Sequence, residues 1–153
     1  MRAFFALVLL YGAALPAQAA KSDSAFRALQ ERGRAVMGVD QYTSSHVFES
    51  LNDGGRIELQ RDVDDSAGVR VIRAHMQDVA KRFTAGDYSL SEMVHGAHDI
   101  PGVDSMRALS AAIRFTYREL PRGAEVRLTS ADPRAVRAIH RFLSFQRLDH
   151  RSH

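Results

Sequence analysis

The sequence predicts an α+β fold in which helices pack on one face of an antiparallel sheet. Two pairs of segments with alternating apolar residues are each joined by a tight-turn sequence, and each pair is followed by an amphipathic helix. We therefore expect two hairpin–helix (ββα) units to build one sheet. The length of 153 residues is enough for one such domain. A short shared pattern in the two helices is compatible with an internal repeat or with two units of independent origin.

The N-terminal segment, residues 1–19, has the pattern of a cleaved export signal. A positively charged start and an apolar run over residues 3–15 precede Ala17-Gln18-Ala19, which is the small-x-small pattern of a cleavage site. The run is short for a membrane span, and no cluster of positive charges follows it. The sequence therefore predicts a single domain over residues 20–153, located in the periplasm or secreted, with no transmembrane segment after cleavage.

The first hairpin is predicted from His46–Leu51 and Arg56–Arg61, which flank the turn sequence Asn52-Asp53-Gly54-Gly55. A loop of even length places His46 on the apolar face of the sheet. A slip by one residue would bury the glutamates of both strands, so this register is favoured.

Helices are predicted on both sides of this hairpin. The first covers residues 24–36, with Ser24 as its N-cap and Gly38 at its end. The second covers residues 66–84, where apolar residues recur at helical spacing: Val69, Ile72, Met76, Val79 and Phe83. Residues 85–100 have no clear period and are interpreted as an irregular loop.

A second hairpin is predicted around Leu120-Pro121-Arg122-Gly123. Pairing Tyr117 with Val126 places Arg118 opposite Glu125, which is a favourable pair on the polar face. Pro101 suits the start of a short helix before this hairpin. The last helix is predicted to begin at Asp132-Pro133 and to run to about His150, because aspartate caps a helix and proline fits its first turn.

The chain contains no cysteine, which excludes disulfides, thiolate metal sites and a cysteine nucleophile. The formal charge is +3, and export makes nucleic acid an unexpected partner. The sequence has no GxSxG, P-loop or GxGxxG motif, and its histidines do not form HExxH.

The histidines are therefore the candidate functional residues. Neutral imidazole suits copper, zinc and iron, and the thioether of methionine suits Cu(I). Each histidine is also compatible with a structural role as a hydrogen-bonded residue at the edge of the core. The candidate metal ligands are His46, His75, His95, His140, His150 and Met93.

Several segments resemble a family of small, uncharacterised exported bacterial proteins, some of which carry the designation aspartate carbamoyltransferase. The segments are 36–41, 44–48, 53–57, 102–103 with Met106, and 138–146 with His150. The resemblance implies that His46, His75, His95, His140 and His150 recur together, whereas Val47 and Asp78 stand where the family often has further histidines. The designation has no support in this sequence, which is too short for such a catalytic chain and has no carbamoyl-phosphate loop.

The sequence thus predicts a small exported binding protein that coordinates copper, zinc or haem through histidines. An alternative is a metal-free module that binds a protein partner through the polar sheet face or through Arg134, Arg137 and Arg141 on the last helix. A small enzyme with a histidine general base is a third interpretation. A polar outer sheet face is also compatible with a homodimer.

Overall fold

Four strands and five helices make up the part of the chain, residues 15–38 and 40–152, that the computed structural model describes. The strands are β1 (Ser44–Leu51), β2 (Gly54–Arg61), β3 (Arg114–Leu120) and β4 (Gly123–Thr129). The helices are α1 (Leu15–Met37), α2 (Ser66–Thr84), α3 (Ser89–His95), α4 (Val103–Ala108) and α5 (Pro133–Asp149), with short 3-10 helices at Gln41–Thr43 and Ser110–Ala112.

The strands form one antiparallel sheet in the order β1-β2-β4-β3. Each hairpin is closed by a two-residue turn, because Leu51 pairs with Gly54 and Leu120 pairs with Gly123. His46 lies opposite Leu59, as the alternation of apolar residues predicts. The predicted α+β fold with two ββα units is confirmed.

The polar face of the second hairpin also has the predicted pairing. Tyr117 lies opposite Val126, and Arg118 lies opposite Glu125 with an Nε–Oε1 distance of 3.0 Å.

The helix of each ββα unit packs mainly on the strands of the other unit. Helix α2, which follows the first hairpin, packs mainly on β3 and β4, whereas α5, which follows the second hairpin, packs on β1 and β2. Asp65 caps α2 by accepting from the Gly68 N–H at 3.0 Å, and Asp132 caps α5 by accepting from the Arg134 N–H at 2.8 Å. The apolar stripes of both helices thereby cover the inner face of the sheet.

The two ββα units correspond position by position. Ser66 begins α2 and Pro133 begins α5, so helix positions that differ by 67 correspond. The closing pairs of the two hairpins show that strand positions differ by 69. Ile57 and Val126, which correspond, face each other across β2 and β4, so an approximate two-fold axis passes between them.

Two predicted helix boundaries need correction. Helix α1 begins at Leu15 rather than at residue 24, because alanine-rich residues continue the helical pattern upstream of Ser24. It ends as predicted at Gly38, which has φ +71° and donates its N–H to Arg34 O at 3.0 Å. The start proposed near Pro101 falls at Val103, after Gly102 in a left-handed conformation.

The interpretation of residues 85–100 as an irregular loop is wrong in part, because Ser89–His95 form α3. Its seven residues are too short for a clear helical period. Arg32 holds its C-terminal end by donating from Nε to Val94 O at 2.8 Å and from Nη2 to His95 O at 3.2 Å. A contact from α1, which lies far away in sequence, thus helps to order this helix.

The apolar run of the predicted export signal lies almost wholly outside the described residues, since these begin at Leu15. Within residues 15–38 and 40–152, no helix has both the length and the apolar character that crossing a membrane requires.

Candidate functional site

Four imidazoles border a small cavity between β1, α2, α3 and the end of α5. The cavity has a volume of about 60 Å³. The four are His46, His75, His95 and His150, and the other side chains on the wall are Met37, Phe48, Ile57, Leu59, Met76, Val79, Phe83, Leu90, Ser91, Val94, Phe142 and Gln146. The structure thus brings together four of the six predicted ligands, although they come from four different elements.

Local structure explains where each imidazole lies. His46 is on the inner face of β1, opposite Leu59. His75 lies one turn before Val79 on α2, at the border of the apolar stripe. His95 is the last residue of α3. His150 directly follows α5 and donates its backbone N–H to Gln146 O at 2.9 Å.

The rings of three of these histidines are in contact. The centres of His46 and His150 are 5.2 Å apart, with an angle of 22° between the ring planes. The centres of His95 and His150 are 5.1 Å apart, and these rings are nearly perpendicular. His150 is therefore the central ring of the cluster.

The surroundings favour the neutral form of three imidazoles. Burial, with repulsion from His75, lowers the pKa of His46 from 6.5 to about 4. Burial likewise lowers the pKa of His75 to about 4, against the attraction of Asp78. The pKa of His150 falls to about 2 because it is buried and lies beside His46 and His95. Neutral imidazole is the form that coordinates metals.

His46 has a buried nitrogen without a partner among the described residues. Its Nε2 is enclosed and makes no hydrogen bond. Leaving such an atom unsatisfied costs roughly 1–3 kcal/mol. A purely structural histidine at this position would be expected to satisfy both ring nitrogens, so this atom needs another explanation.

His95, by contrast, is held on both sides. Its Nδ1 bonds the carboxylate of Asp149, and its Nε2 lies 2.8 Å from Gln146 Oε1. Both partners belong to α5, so this imidazole fixes α3 to the last helix. Because both of its ring nitrogens already have partners, His95 is expected to support the neighbouring ligands rather than to bind an ion itself.

The correspondence of the two units gives each of the other three imidazoles a counterpart. Positions 115, 142 and 83 correspond to 46, 75 and 150, and all three are phenylalanine. The centres of Phe83 and Phe115 lie 5.8 Å apart with the rings edge to face, whereas the corresponding rings of His46 and His150 lie 5.2 Å apart and are stacked. Phe83 and Phe142 are likewise 5.8 Å apart. The fold therefore accepts phenyl rings at these places and does not need ring nitrogens there.

The remaining predicted ligands lie elsewhere. His140 Nε2 lies 2.9 Å from Leu51 O, and because a carbonyl oxygen only accepts hydrogen bonds, Nε2 is the donor. Met93 is half exposed, and neither residue lines the cavity. His98 is also outside the cavity, with a side chain that is 96% exposed.

Two methionines on the cavity wall were missed by reasoning from the sequence. Met76 was assigned to the apolar stripe of the helix, and Met37 ends α1. Both are buried. Ligands on separate elements have no characteristic spacing, so only the amino-acid type could have indicated them.

The arginines named for the last helix do lie together. Arg134, Arg137 and Arg141 line a cleft of about 290 Å³ beside α4. Arg134 pairs with Asp132 at 2.8 Å, and Arg141 Nη2 lies 3.3 Å from Ser105 Oγ. The outer sheet face has charges of both signs that pair with each other, as in Arg56 with Glu49 at 2.6 Å.

Comparison with known proteins finds no matching family model, no matching curated protein and no matching solved structure.

Proposed function

We propose that this protein binds one transition-metal ion, copper or zinc, in the cavity between His46, His75 and His150. The observation that carries the proposal is the substitution of three imidazoles for three phenyl rings at corresponding positions of the two units. Packing alone is satisfied by phenyl, so the nitrogens call for a separate role. The unpartnered Nε2 of His46 supports the same interpretation.

The spacing of the rings is compatible with a shared ion. Two imidazoles bound to one tetrahedral ion at about 2.0–2.1 Å have ring centres about 5 Å apart. The centres of His46 and His150 are 5.2 Å apart, but the rings are stacked. Within the described residues, no three side chains of histidine, aspartate or glutamate already converge on a point. Binding therefore involves rotation of at least one imidazole about χ1 or χ2.

The size of the cavity favours an ion over haem. About 60 Å³ accommodates an ion and a water molecule or two, whereas pockets for organic ligands occupy roughly 300–1,000 Å³. Since the sequence predicts export, we expect this metal-binding protein to act in the periplasm or outside the cell.

Metal titration of the untagged protein tests the proposal. Zn(II) and copper should bind with a stoichiometry of one, and His46→Phe, His75→Phe and His150→Phe should each weaken binding at least tenfold. The phenyl substitutions follow the other unit, so circular dichroism should show a retained fold. The control, His98→Ala, removes an exposed histidine and should leave binding unchanged.

Two results would contradict the proposal. One is that both metals bind with a dissociation constant above about 10 μM, and the other is that the three phenyl variants bind as tightly as the wild type.

A second candidate function is a metal-free interaction module that uses the arginine-lined cleft. Three arginines on one cleft favour an acidic partner. Arg137→Glu should then abolish capture of an acidic partner, while His46→Phe should not.

A further inference from the structure

We infer that the ion which this cavity selects is Cu(I), held by His46, His75 and His150 together with the thioether of Met76 and, from α1, that of Met37. This inference rests on the proposed function and specifies the metal and its oxidation state. It adds two ligands that the pattern of histidines does not include.

The first argument is the softness of the donors. Thioethers bind Cu(I) well and bind Zn(II) poorly, whereas imidazole binds both. Met37 and Met76 lie on the same cavity wall as His46, His75 and His150. Both methionines are buried, with 7% and 2% of their surface exposed, so their sulfur atoms are shielded from water and oxidants.

The second argument is charge. The described cavity wall carries no aspartate or glutamate, and its potential ligands are all neutral. An ion in this cavity would keep its full charge in apolar surroundings, and the desolvation penalty rises steeply with that charge. A monovalent ion is therefore favoured over Zn(II) or Cu(II). The carboxylates of Asp149 and Asp78 act on the site from outside this wall, since Asp149 bonds His95 and Asp78 attracts His75.

The third argument comes again from the correspondence of the two units. Met76 corresponds to Leu143, which is fully buried beside Phe142 in the other half. Leucine therefore suits this position of the fold. The methionine introduces a metal-binding sulfur at this position, on the same cavity wall as the three imidazoles.

The cavity wall also reaches towards the surface. Leu90, Ser91 and His75 are only partly buried, whereas the opposite wall is formed by fully buried residues such as Leu59 and Phe142. An ion can thus approach past α3 without opening the sheet.

The test is a competition titration without oxygen, in which a chromophoric Cu(I) chelator competes with the untagged protein, alongside a Zn(II) titration. The wild type should bind Cu(I) at least a hundredfold more tightly than Zn(II). Met76→Leu and the double variant with Met37→Leu should weaken Cu(I) binding at least tenfold and leave Zn(II) binding unchanged. Met93→Leu, on the exposed side of α3, is the matched control and should change neither.

X-ray absorption at the copper edge gives an independent readout, with sulfur scattering expected in the wild type and lost in the double variant. Zn(II) binding as tight as that of Cu(I), or unchanged Cu(I) affinity and no sulfur signal, overturns this inference and leaves the proposed metal site standing. Failure of the wild type to bind either ion overturns the proposed function itself.

Discussion

His140 and Arg73 hold the two hairpins in corresponding ways. His140 Nε2 donates to Leu51 O at 2.9 Å, and Arg73 Nη2 donates to Leu120 O at 2.9 Å. Both acceptors are the last residues of the first strand of a hairpin, and each donor lies on the helix of the other unit. His140 therefore has a structural role.

His140→Ala should lower the free energy of unfolding by about 1 kcal/mol, because it leaves a carbonyl without its side-chain donor. Urea denaturation measures this change. Metal binding should be unaffected, since His140 does not line the cavity. Weaker metal binding at unchanged stability would contradict this assignment.

Acid should destabilise the metal-free protein. The pKa values of His46 and His75 fall from 6.5 to about 4 on folding, so below pH 6.5 the unfolded chain binds protons that the folded chain does not. This stability is fully present above pH 6.5 and is lost as the pH falls towards 4. Between pH 6.5 and 4, each of these two histidines lowers the free energy of unfolding by about 3 kcal/mol. Urea denaturation at a series of pH values would detect the fall, and a flat profile would contradict it.

His46→Phe should reduce this pH dependence. A phenyl ring cannot take up a proton, and the corresponding Phe115 shows that it fits this place in a hairpin. At pH 5 the variant should therefore be more stable than the wild type, by about 1–2 kcal/mol. His98→Ala serves as the control, and its profile should follow that of the wild type.

Gly54 is required by the first hairpin. It has φ +142°, and a Cβ at this position would collide with Leu128 O on the neighbouring strand. Gly54→Ala should lower the free energy of unfolding by more than about 2 kcal/mol. Gly86 also has a positive φ, at +75°, but its surroundings are open, so Gly86→Ala should cost about 1 kcal/mol. Equal effects of the two substitutions in thermal denaturation would contradict this explanation.

Local patterns were sufficient to predict most of the fold. The turn sequences and the alternation of apolar residues predicted the pairing of Tyr117 with Val126, which places Arg118 opposite Glu125 as a favourable pair on the polar face. Helix α3 could not be predicted from its own residues, because its end is held by Arg32, far away in the sequence. Long-range contacts of this kind leave no local pattern.

The sequence predicted which type of residue forms the candidate site, but not which individual residues belong to it. Histidine was the expected ligand in a chain without cysteine, and His46, His75 and His150 do lie together. Nothing local separates them from His140, because convergence depends on how the helices pack across the sheet. Met76 resembled an ordinary core residue for the same reason.

The crossing of the helices has a consequence for how the chain is held together. Because α5 returns to cover β1, His150 at the end of the last helix meets His46 on the first strand. An ion shared by these two residues would close a loop that contains most of the domain, as a disulfide does in many small secreted proteins. Binding would then stabilise the folded chain as a whole. In a protein without cysteine, the metal would take the place of a covalent cross-link.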